Sequence, residues 1–428
     1  MTEYVAPVKT LKGKLVPPPD KSISHRSALF AAISNEKSLI KNYSQAADPQ
    51  STLACLQQLG VVIDQQDNQV TIYGAGREGL TEPTAPLDCG NSGTTMRLLA
   101  GIVAGAGVEC SMVGDASLSA RTMKRIIAPI TEMGGHISGR DGAYAPLNIR
   151  PHQGIRGMRY PLPIASAQLK SAVLLTGLFG EEPTEVVESV LSRDHTERLL
   201  DLKSEPYGTG KLIRSSRSDV IPAQTYTVPG DFSAAAFWLV AGSIHEGAEI
   251  ELESTGMNPS RIAALEVLNQ MGANIAVENP RSEGKEPVAD LKITPAELKA
   301  IKLDPSLVPN CIDELPVLMV AMCFADGTSS ISGAEELRHK ETDRLSTMSE
   351  ILKRAGASIE ETEDGMLIHG NPGFTPKPAT YPSRHDHRMA MAAAILATRS
   401  ASRSQIEDAE CTAISYPEFW THLNQISR

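Results

Sequence analysis

Apolar residues recur at helical spacing in STLACLQQLGVVIDQ, MKRIIAPITEMGGHIS, SRIAALEVLNQMGANIAV and LSTMSEILKRAGASIEE, and all four runs end alike. Gly60, Gly134, Gly272 or Gly356 closes the apolar stripe, and a short alternating run with β-branched residues follows. The pattern predicts a helix, a glycine cap and a strand. HTERLLDLKSEPYG is a weaker copy, ending near Gly208. Successive copies lie roughly 65 to 85 residues apart, longer than the period of most short-repeat solenoids. The expected architecture is therefore a series of small α/β units, each laying a helix on a sheet. LxxLG endings are common in α/β proteins, so it is the repetition that carries the argument. NQVTIYGAGREG and YAPLNIRPHQG alternate as half-solvated strands do. Asn279 to Pro287 and Asn371 to His387 read as surface loops, the second ordered only in part.

The polar residues are most informative just ahead of apolar helices. In VPPPDKSISHRSALFAA three prolines stop any preceding helix, and Asp20, Lys21, Ser22, Ser24, His25 and Arg26 then precede an apolar run from Ala28. A rigid turn that brings Ser, Lys and Arg to a helix start suits a multiply charged anion, and a capped surface helix is the plainer alternative. DCGNSGTTMRLLAG combines Gly90 and Gly93 with Asn91, Ser92, Thr94, Thr95 and Arg97, and has the spacing of neither a P-loop nor a dinucleotide fingerprint. GDASLSARTMKR offers Arg121 as a carboxylate or phosphate clamp, with Lys124 and Arg125 as solvated charges. PIASAQLKSAVLLTGL offers Ser166, Gln168 and Lys170. SRDHTERLL offers Arg193, with Asp194 and Thr196 as helix caps and His195 structural or exposed.

VPGDFSAAAFWLVAG turns tightly into a small-residue helix, a hinge candidate. In IDELPVLMVAMCFADG, Asp313 and Glu314 are either caps or a base at the mouth of a cleft. Glu341 and Arg344, three apart in RHKETDRLSTM, can share a helix face and a ligand. His385, Asp386 and His387 look metal-like beside Arg388, but no third ligand can be assigned, so no metal is expected.

Length and charge narrow the picture. A chain of 428 residues is too long for one ordinary core, so two domains are expected. A net charge of -11 gives no bulk attraction to nucleic acid or an acidic membrane surface, so any anion site is a local cationic pocket. The six cysteines lack CxxC or zinc-like spacing and read as free thiols in a reducing compartment. The N-terminus lacks an apolar signal core, and no apolar run spans a bilayer; the expectation is a cytoplasmic protein. Since every cluster precedes an apolar helix in both halves, helix N-termini should converge on a cleft between two domains. Lys21, Arg26, Arg97, Arg121, Arg193, Arg344 and Arg388 would line it. Such a lining fits small substrates bearing phosphate and carboxylate, with Asp313 and Glu341 placed for proton transfer. Nothing resembles a redox cofactor site or a Ser nucleophile elbow.

DKSISHR, NSGTTMRLL, GDASLSAR, ASAQLKSA, SRDHTERL, VPGDFSAAAF, IDELPVL, HKETDRL and DHRMAMA, in that order, resemble the motif set of the 3-phosphoshikimate 1-carboxyvinyltransferase (EPSP synthase) family. The resemblance runs from Pro17 to Pro417. It implies enolpyruvyl transfer from phosphoenolpyruvate to the 5-hydroxyl of shikimate 3-phosphate, with release of phosphate through a tetrahedral intermediate and without a cofactor. It also implies a two-domain inside-out α/β barrel, each domain three βαβαββ units. Residues 1–19 plus 230–428 would form one domain and 20–229 the other, with the cleft between them and the hinge near 17–21 and 228–233. By this resemblance Lys21, Ser22, Arg26, Ser166, Ala167, Gln168, Arg193, Asp313 and Lys340 bind shikimate 3-phosphate. Lys21, Gly93, Arg121, Gln168, Arg344 and Arg388 bind phosphoenolpyruvate. Asp313 is the base, Glu341 the proton donor to the methylene carbon, and Lys21 touches both substrates. A monomer is implied.

One segment departs from the pattern. Many members carry a lysine in CTxKTFP, where this chain reads CTAISYP with Ile414, as in the family's second class; Lys340 is then expected to carry more of the positive charge. Gly93 matches a glycine whose replacement by alanine is associated with glyphosate tolerance. The related transferase that acts on UDP-N-acetylglucosamine characteristically has a reactive Cys in a mobile loop, and neither Cys89 nor Cys110 lies in such a motif. A non-catalytic anion-binding protein is the remaining alternative, and it would reduce Asp313 and Glu341 to caps.

Overall fold

The four glycine-closed runs are helices over Ala47–Gln58, Lys124–Glu132, Ala263–Gln270 and Arg344–Arg354. Gly60, Gly134, Gly272 and Gly356 follow at φ of 86°, 96°, 87° and 83°, the left-handed region where a Cβ is costly. Strands Val62–Gln66, His136–Arg140, Asn274–Glu283 and Ser358–Glu361 come next. The weaker copy is corrected in detail. Its helix, His195–Leu200, is closed by Asp201 at φ 53°, a residue type that tolerates this conformation. Gly208 instead lies between strands Ser204–Tyr207 and Gly210–Ser215, which pair antiparallel.

The expectation of a surface loop at Asn279 to Pro287 is also overturned. Asn274–Glu283 and Glu286–Thr294 pair antiparallel through this stretch, with a register shift between Glu278 and Arg281. The left-handed Asn279, at φ 49°, lies within that shift and lets the strand continue past the polar residues. Asn371 to His387 has a short strand at Thr380–Tyr381 and packs Phe374 against Phe324 at 5.4 Å between ring centres.

The computed structural model describes residues 1–427. The chain divides into two compact units, one of Met1–Pro18 with Pro229–Arg428 and the other of Pro19–Val228. In Pro19–Val228 the helices are α1 (Lys21–Ala32), α2 (Ala47–Gln58), α3 (Gly93–Ala106), α4 (Ala116–Ala120), α5 (Lys124–Glu132), α6 (Ala167–Gly177) and α7 (His195–Leu200). The termini-containing unit has α8 (Phe232–Ile244), α9 (Ala263–Gln270), α10 (Val308–Cys311), α11 (Leu315–Cys323), α12 (Arg344–Arg354), α13 (His387–Ala397) and α14 (Phe419–Ile426).

In each unit three helices are buried along most of their length: α1, α3 and α6 in one, α8, α11 and α13 in the other. Their small and apolar residues leave no solvated face, as a helix at the centre of a core requires. A Cβ on Gly101 of α3 would stand 2.6 Å from the Ala172 carbonyl oxygen of α6, so the glycine permits the close approach. Helices α2, α5, α9 and α12 are amphipathic and keep a polar face.

Three sheets complete each unit. In Pro19–Val228 all three share one plan. Lys37–Lys41 pairs parallel with Thr225–Thr227 and antiparallel with Gln69–Tyr73, which pairs with Val62–Gln66. Cys110–Val113 and Thr184–Glu188 head equivalent sheets. The termini-containing unit repeats the plan around Glu249–Gly256. At Gly327–Ile331 the parallel neighbour shrinks to isolated bridges, such as Lys302 to Ser330. The result is an α/β fold of repeated βαβαββ units. No single helix among the described residues is long and apolar enough to cross a membrane.

Candidate active site

In Pro19–Val228 the polar residues singled out from the sequence gather where helices begin. Asp20 caps α1 by accepting the Ile23 N–H at 2.8 Å, Ser92 caps α3 through Thr95, and Ser166 caps α6 through Leu169. Such caps satisfy some of the four N–H groups left over at a helix start. Side chains then join one helix start to the next. The Thr52 hydroxyl of α2 lies 2.7 Å from both His25 Nδ1 of α1 and Thr95 Oγ1 of α3. Arg97 Nη1 donates to Gln168 Oε1 at 2.7 Å, and Gln168 Nε2 donates to Thr94 Oγ1 at 2.9 Å. Arg26 donates to Thr196 Oγ1 of α7 at 2.8 Å and to Ser171 Oγ of α6 at 3.0 Å. Side chains of α1, α2, α3, α6 and α7 thus form one polar floor.

The cations on this floor differ in availability. Lys21 is half-buried and pairs with Asp48 at 2.9 Å, a partner that nothing in its local sequence marked. Arg26 is 3% exposed, and its guanidinium donates to two hydroxyls and to the Ser22 carbonyl. Arg121 donates to Asn91 Oδ1 at 2.6 Å and to Ser117 Oγ at 3.0 Å. Around Gly93, an added Cβ would stand 2.8 Å from Arg97 Nη1 and 3.6 Å from Arg121 Nη1, which brings the glycine turn and two guanidinium groups together. Ser22, Ala167 and Arg193 are half-buried at the heads of α1, α6 and α7. Asp194 does not cap α7 but accepts from Arg198 at 3.0 Å. His195 is buried.

Lys170 is the charge whose setting the sequence least foretold. It is fully buried, 3.1 Å from both Glu188 oxygens and 2.7 Å from Glu197 Oε1, so it is an internal ion pair and not an open ligand. Glu188 also accepts the Ser192 N–H at 2.8 Å, which holds the loop leading to Arg193.

In the termini-containing unit the second cluster centres on Arg344, which is 1% exposed. Its Nε donates to Asp386 Oδ2 at 2.8 Å, Nη2 to Glu341 Oε2 at 2.5 Å and Nη1 to Asp313 Oδ1 at 3.3 Å. Burial opposes its charge, but Asp386, Glu341 and Asp313 more than offset this and raise its pKa above the ordinary arginine value. Arg388 Nη1 donates to the Asp313 carbonyl at 2.8 Å, and its Nη2 lies 3.7 Å from Asp313 Oδ2. Asp313 and Glu341 remain half-buried. Lys340 lies beside them: burial lowers its pKa below the usual lysine value, against the pull of Asp313. Ile414 packs against the core of the same unit.

Asp386 accepts the Arg388 N–H at 2.9 Å as the cap of α13 and pairs with Arg344, so the acid between His385 and His387 serves a guanidinium. The two cysteines weighed as reactive are both buried. A hydrogen bond to Cys55, together with burial, pushes the Cys89 thiol well up, and burial pushes Cys110 up to about 12. Neither is a ready thiolate at neutral pH.

Among solved structures, the enolpyruvyl transferase NikO from Streptomyces tendae matches with a TM-score of 0.77 at 15% identity, over 99% of this chain and 96% of that one. At that identity the likeness speaks for the fold alone, the two-unit α/β architecture described above. EPSP synthase from Acinetobacter baumannii matches with a TM-score of 0.87 at 38% identity, over 100% of this chain and 98% of that one. The 3-phosphoshikimate 1-carboxyvinyltransferase of Salinibacter ruber is 46% identical over 430 residues, covering 100% of both chains. The family model of EPSP synthase (3-phosphoshikimate 1-carboxyvinyltransferase) matches residues 5–423. The chain belongs to the EPSP synthase family.

Proposed function

We propose that the two clusters act on one pair of small anions, phosphoenolpyruvate and shikimate 3-phosphate. The reaction is that of the family: the enolpyruvyl group passes to the 5-hydroxyl of shikimate 3-phosphate and phosphate leaves. Asp313 takes the proton of the 5-hydroxyl as its oxygen bonds to C2 of phosphoenolpyruvate. Glu341 gives a proton to the methylene carbon, which becomes a methyl group. The tetrahedral intermediate then loses a methyl proton and phosphate to restore the double bond. Lys21, Ser22, Arg26, Ser166, Ala167, Gln168 and Arg193 hold shikimate 3-phosphate, with Asp313 and Lys340. Lys21, Gly93, Arg121, Gln168, Arg344 and Arg388 hold phosphoenolpyruvate.

The observation that carries this reading is Asp313, a half-buried carboxylate held between two buried guanidinium groups, with Glu341 on the same Arg344. Anions held against such preorganised charge need no solvent rearrangement as the addition proceeds. Lys340, lying by Asp313, supplies the positive charge that a lysine at position 414 would otherwise bring. The segments 17–21 and 228–233, which contain both places where the chain passes from one unit to the other, serve as the hinge. The buried free thiols suit a reducing cytoplasm, and the enzyme acts as a monomer.

The test is phosphate release from phosphoenolpyruvate in the presence and absence of shikimate 3-phosphate, with UDP-N-acetylglucosamine as control and Asp313→Asn as variant. Release that requires shikimate 3-phosphate and falls about 10²-fold or more in the variant is expected. Both ligands binding without release would overturn the assignment.

A further inference from the structure

Glu314 follows the proposed base and opens α11, yet it makes no side-chain cap bond to that helix. It is completely buried, and Asp231, Ser233 and Arg261 around it are buried as well. The Ser233 hydroxyl donates to Glu314 Oε1 and accepts from Arg261 Nη2, the latter at 2.6 Å. Arg261 Nη2 also lies 3.3 Å from Asp231 Oδ1, and Nη1 lies 3.7 Å from Glu314 Oε1. Asp231 caps α8 through the Ser233 N–H at 2.7 Å, and its own N–H donates to Pro18. Two carboxylates on one guanidinium are an expensive way to fill a core, since hydrophobic residues of similar volume often do so at no loss of stability.

What the cluster touches gives that cost a purpose. The peptide joining Asp313 to Glu314 is held on one side by Arg388, which donates to its carbonyl at 2.8 Å. On the other side the Glu314 side chain is fixed by Ser233 and Arg261. We propose that Glu314, through Ser233, Arg261 and Asp231, is a positioning residue that holds Asp313 in its working orientation and ties it to the place where the chain crosses between units. This inference rests on Asp313 being the base. Glu314 itself touches no substrate in this role. Loss of the cluster leaves the binding cations in place and lets the Asp313 carboxylate drift, so it should appear in kcat and not in KM.

Steady-state phosphate release from phosphoenolpyruvate and shikimate 3-phosphate, per folded site counted by calorimetric titration with shikimate 3-phosphate, tests it. Glu314→Ala should lower kcat about 10- to 100-fold with both KM values within about threefold, the signature of a misplaced reacting group. Glu314→Gln can still accept the Ser233 hydroxyl and should recover most of that loss, with Ser233→Ala intermediate. A kcat for Glu314→Ala within about twofold of the parent, or a Gln variant no better than Ala, would overturn the proposal. If Glu314→Ala does not fold, Ser233→Ala decides by the same criterion. Asp313→Asn is measured alongside. Full activity there would refute the base assignment itself, whereas an inactive Asp313→Asn beside an unaffected Glu314→Ala would refute only the positioning role.

Discussion

Lys340 and Arg344 show how one cluster treats two cations differently. Arg344 has three carboxylate partners and a raised pKa, so it keeps its charge at any working pH. Lys340 is crowded enough that burial lowers its pKa below 10.5, the nearby carboxylates only partly opposing this. Its proton is therefore lost earlier as pH rises, and with it a positive charge next to the substrates. The alkaline limb of kcat/KM, which reports groups of the free enzyme, should fall below the ordinary lysine range. In Lys340→Arg the limb should move to higher pH, because a guanidinium does not titrate there. A pH–rate profile of the two proteins checks this, and an unmoved limb would remove Lys340 from the site.

At the scale of elements, the unit of construction is a buried helix whose first turn carries polar residues. The start of α3 shows how finely such a turn is set. A methyl group at Gly93 meets Arg97 Nη1 at 2.8 Å, the far end of a flexible side chain, with no backbone atom among its nearest contacts. Gly93→Ala should therefore fold normally, while the displaced guanidinium gives up its bond to Gln168. A melting temperature within about 2 °C of the parent and a KM for phosphoenolpyruvate raised about tenfold are expected, as for a small misplacement of a binding group. Calorimetry and steady-state kinetics would check both. An unchanged KM would mean that Arg97 relaxes without cost.

For the whole molecule, each unit has its own hydrophobic core. Both tryptophans, Trp238 and Trp420, lie in the termini-containing unit, so tryptophan fluorescence reports that unit alone and far-ultraviolet circular dichroism reports both. Leu99→Ala removes a fully buried side chain from the other core, a change that costs about 2–5 kcal/mol. The dichroism transition should broaden or split while the fluorescence midpoint stays put; a joint shift would show a single cooperative unfolding unit.

Acid acts on both cores. Burial, helped by Lys21 and Arg26, lowers His25 well below 6.5, and burial with Arg399 lowers His245 to about 3. As pH falls below 6.5 the unfolded chain takes up protons that the folded chain refuses, so stability is lost with falling pH. For His245 that loss continues towards about pH 3, at about 1.4 kcal/mol per pH unit. Urea unfolding at pH 7 and pH 5 should show a smaller difference in His245→Gln than in the parent.

What was legible beforehand depended on range. Helices, glycine caps, the repeat and the polar helix starts depend on residues within a few positions of one another, and the sequence alone determined them. The expected glycine close near Gly208 and the expected loop at Asn279 to Pro287 fail because Asp201 and Asn279 also adopt left-handed geometry, which composition does not reveal. Family motifs named Arg26, Arg344 and Arg388, but only tertiary packing decided how each charge is spent. Arg26 meets Thr196 across 170 residues and Ser233 meets Glu314 across 81. A buried charge is set by the partners that packing brings to it and by the water that packing removes, and neither is written in the residues next to it.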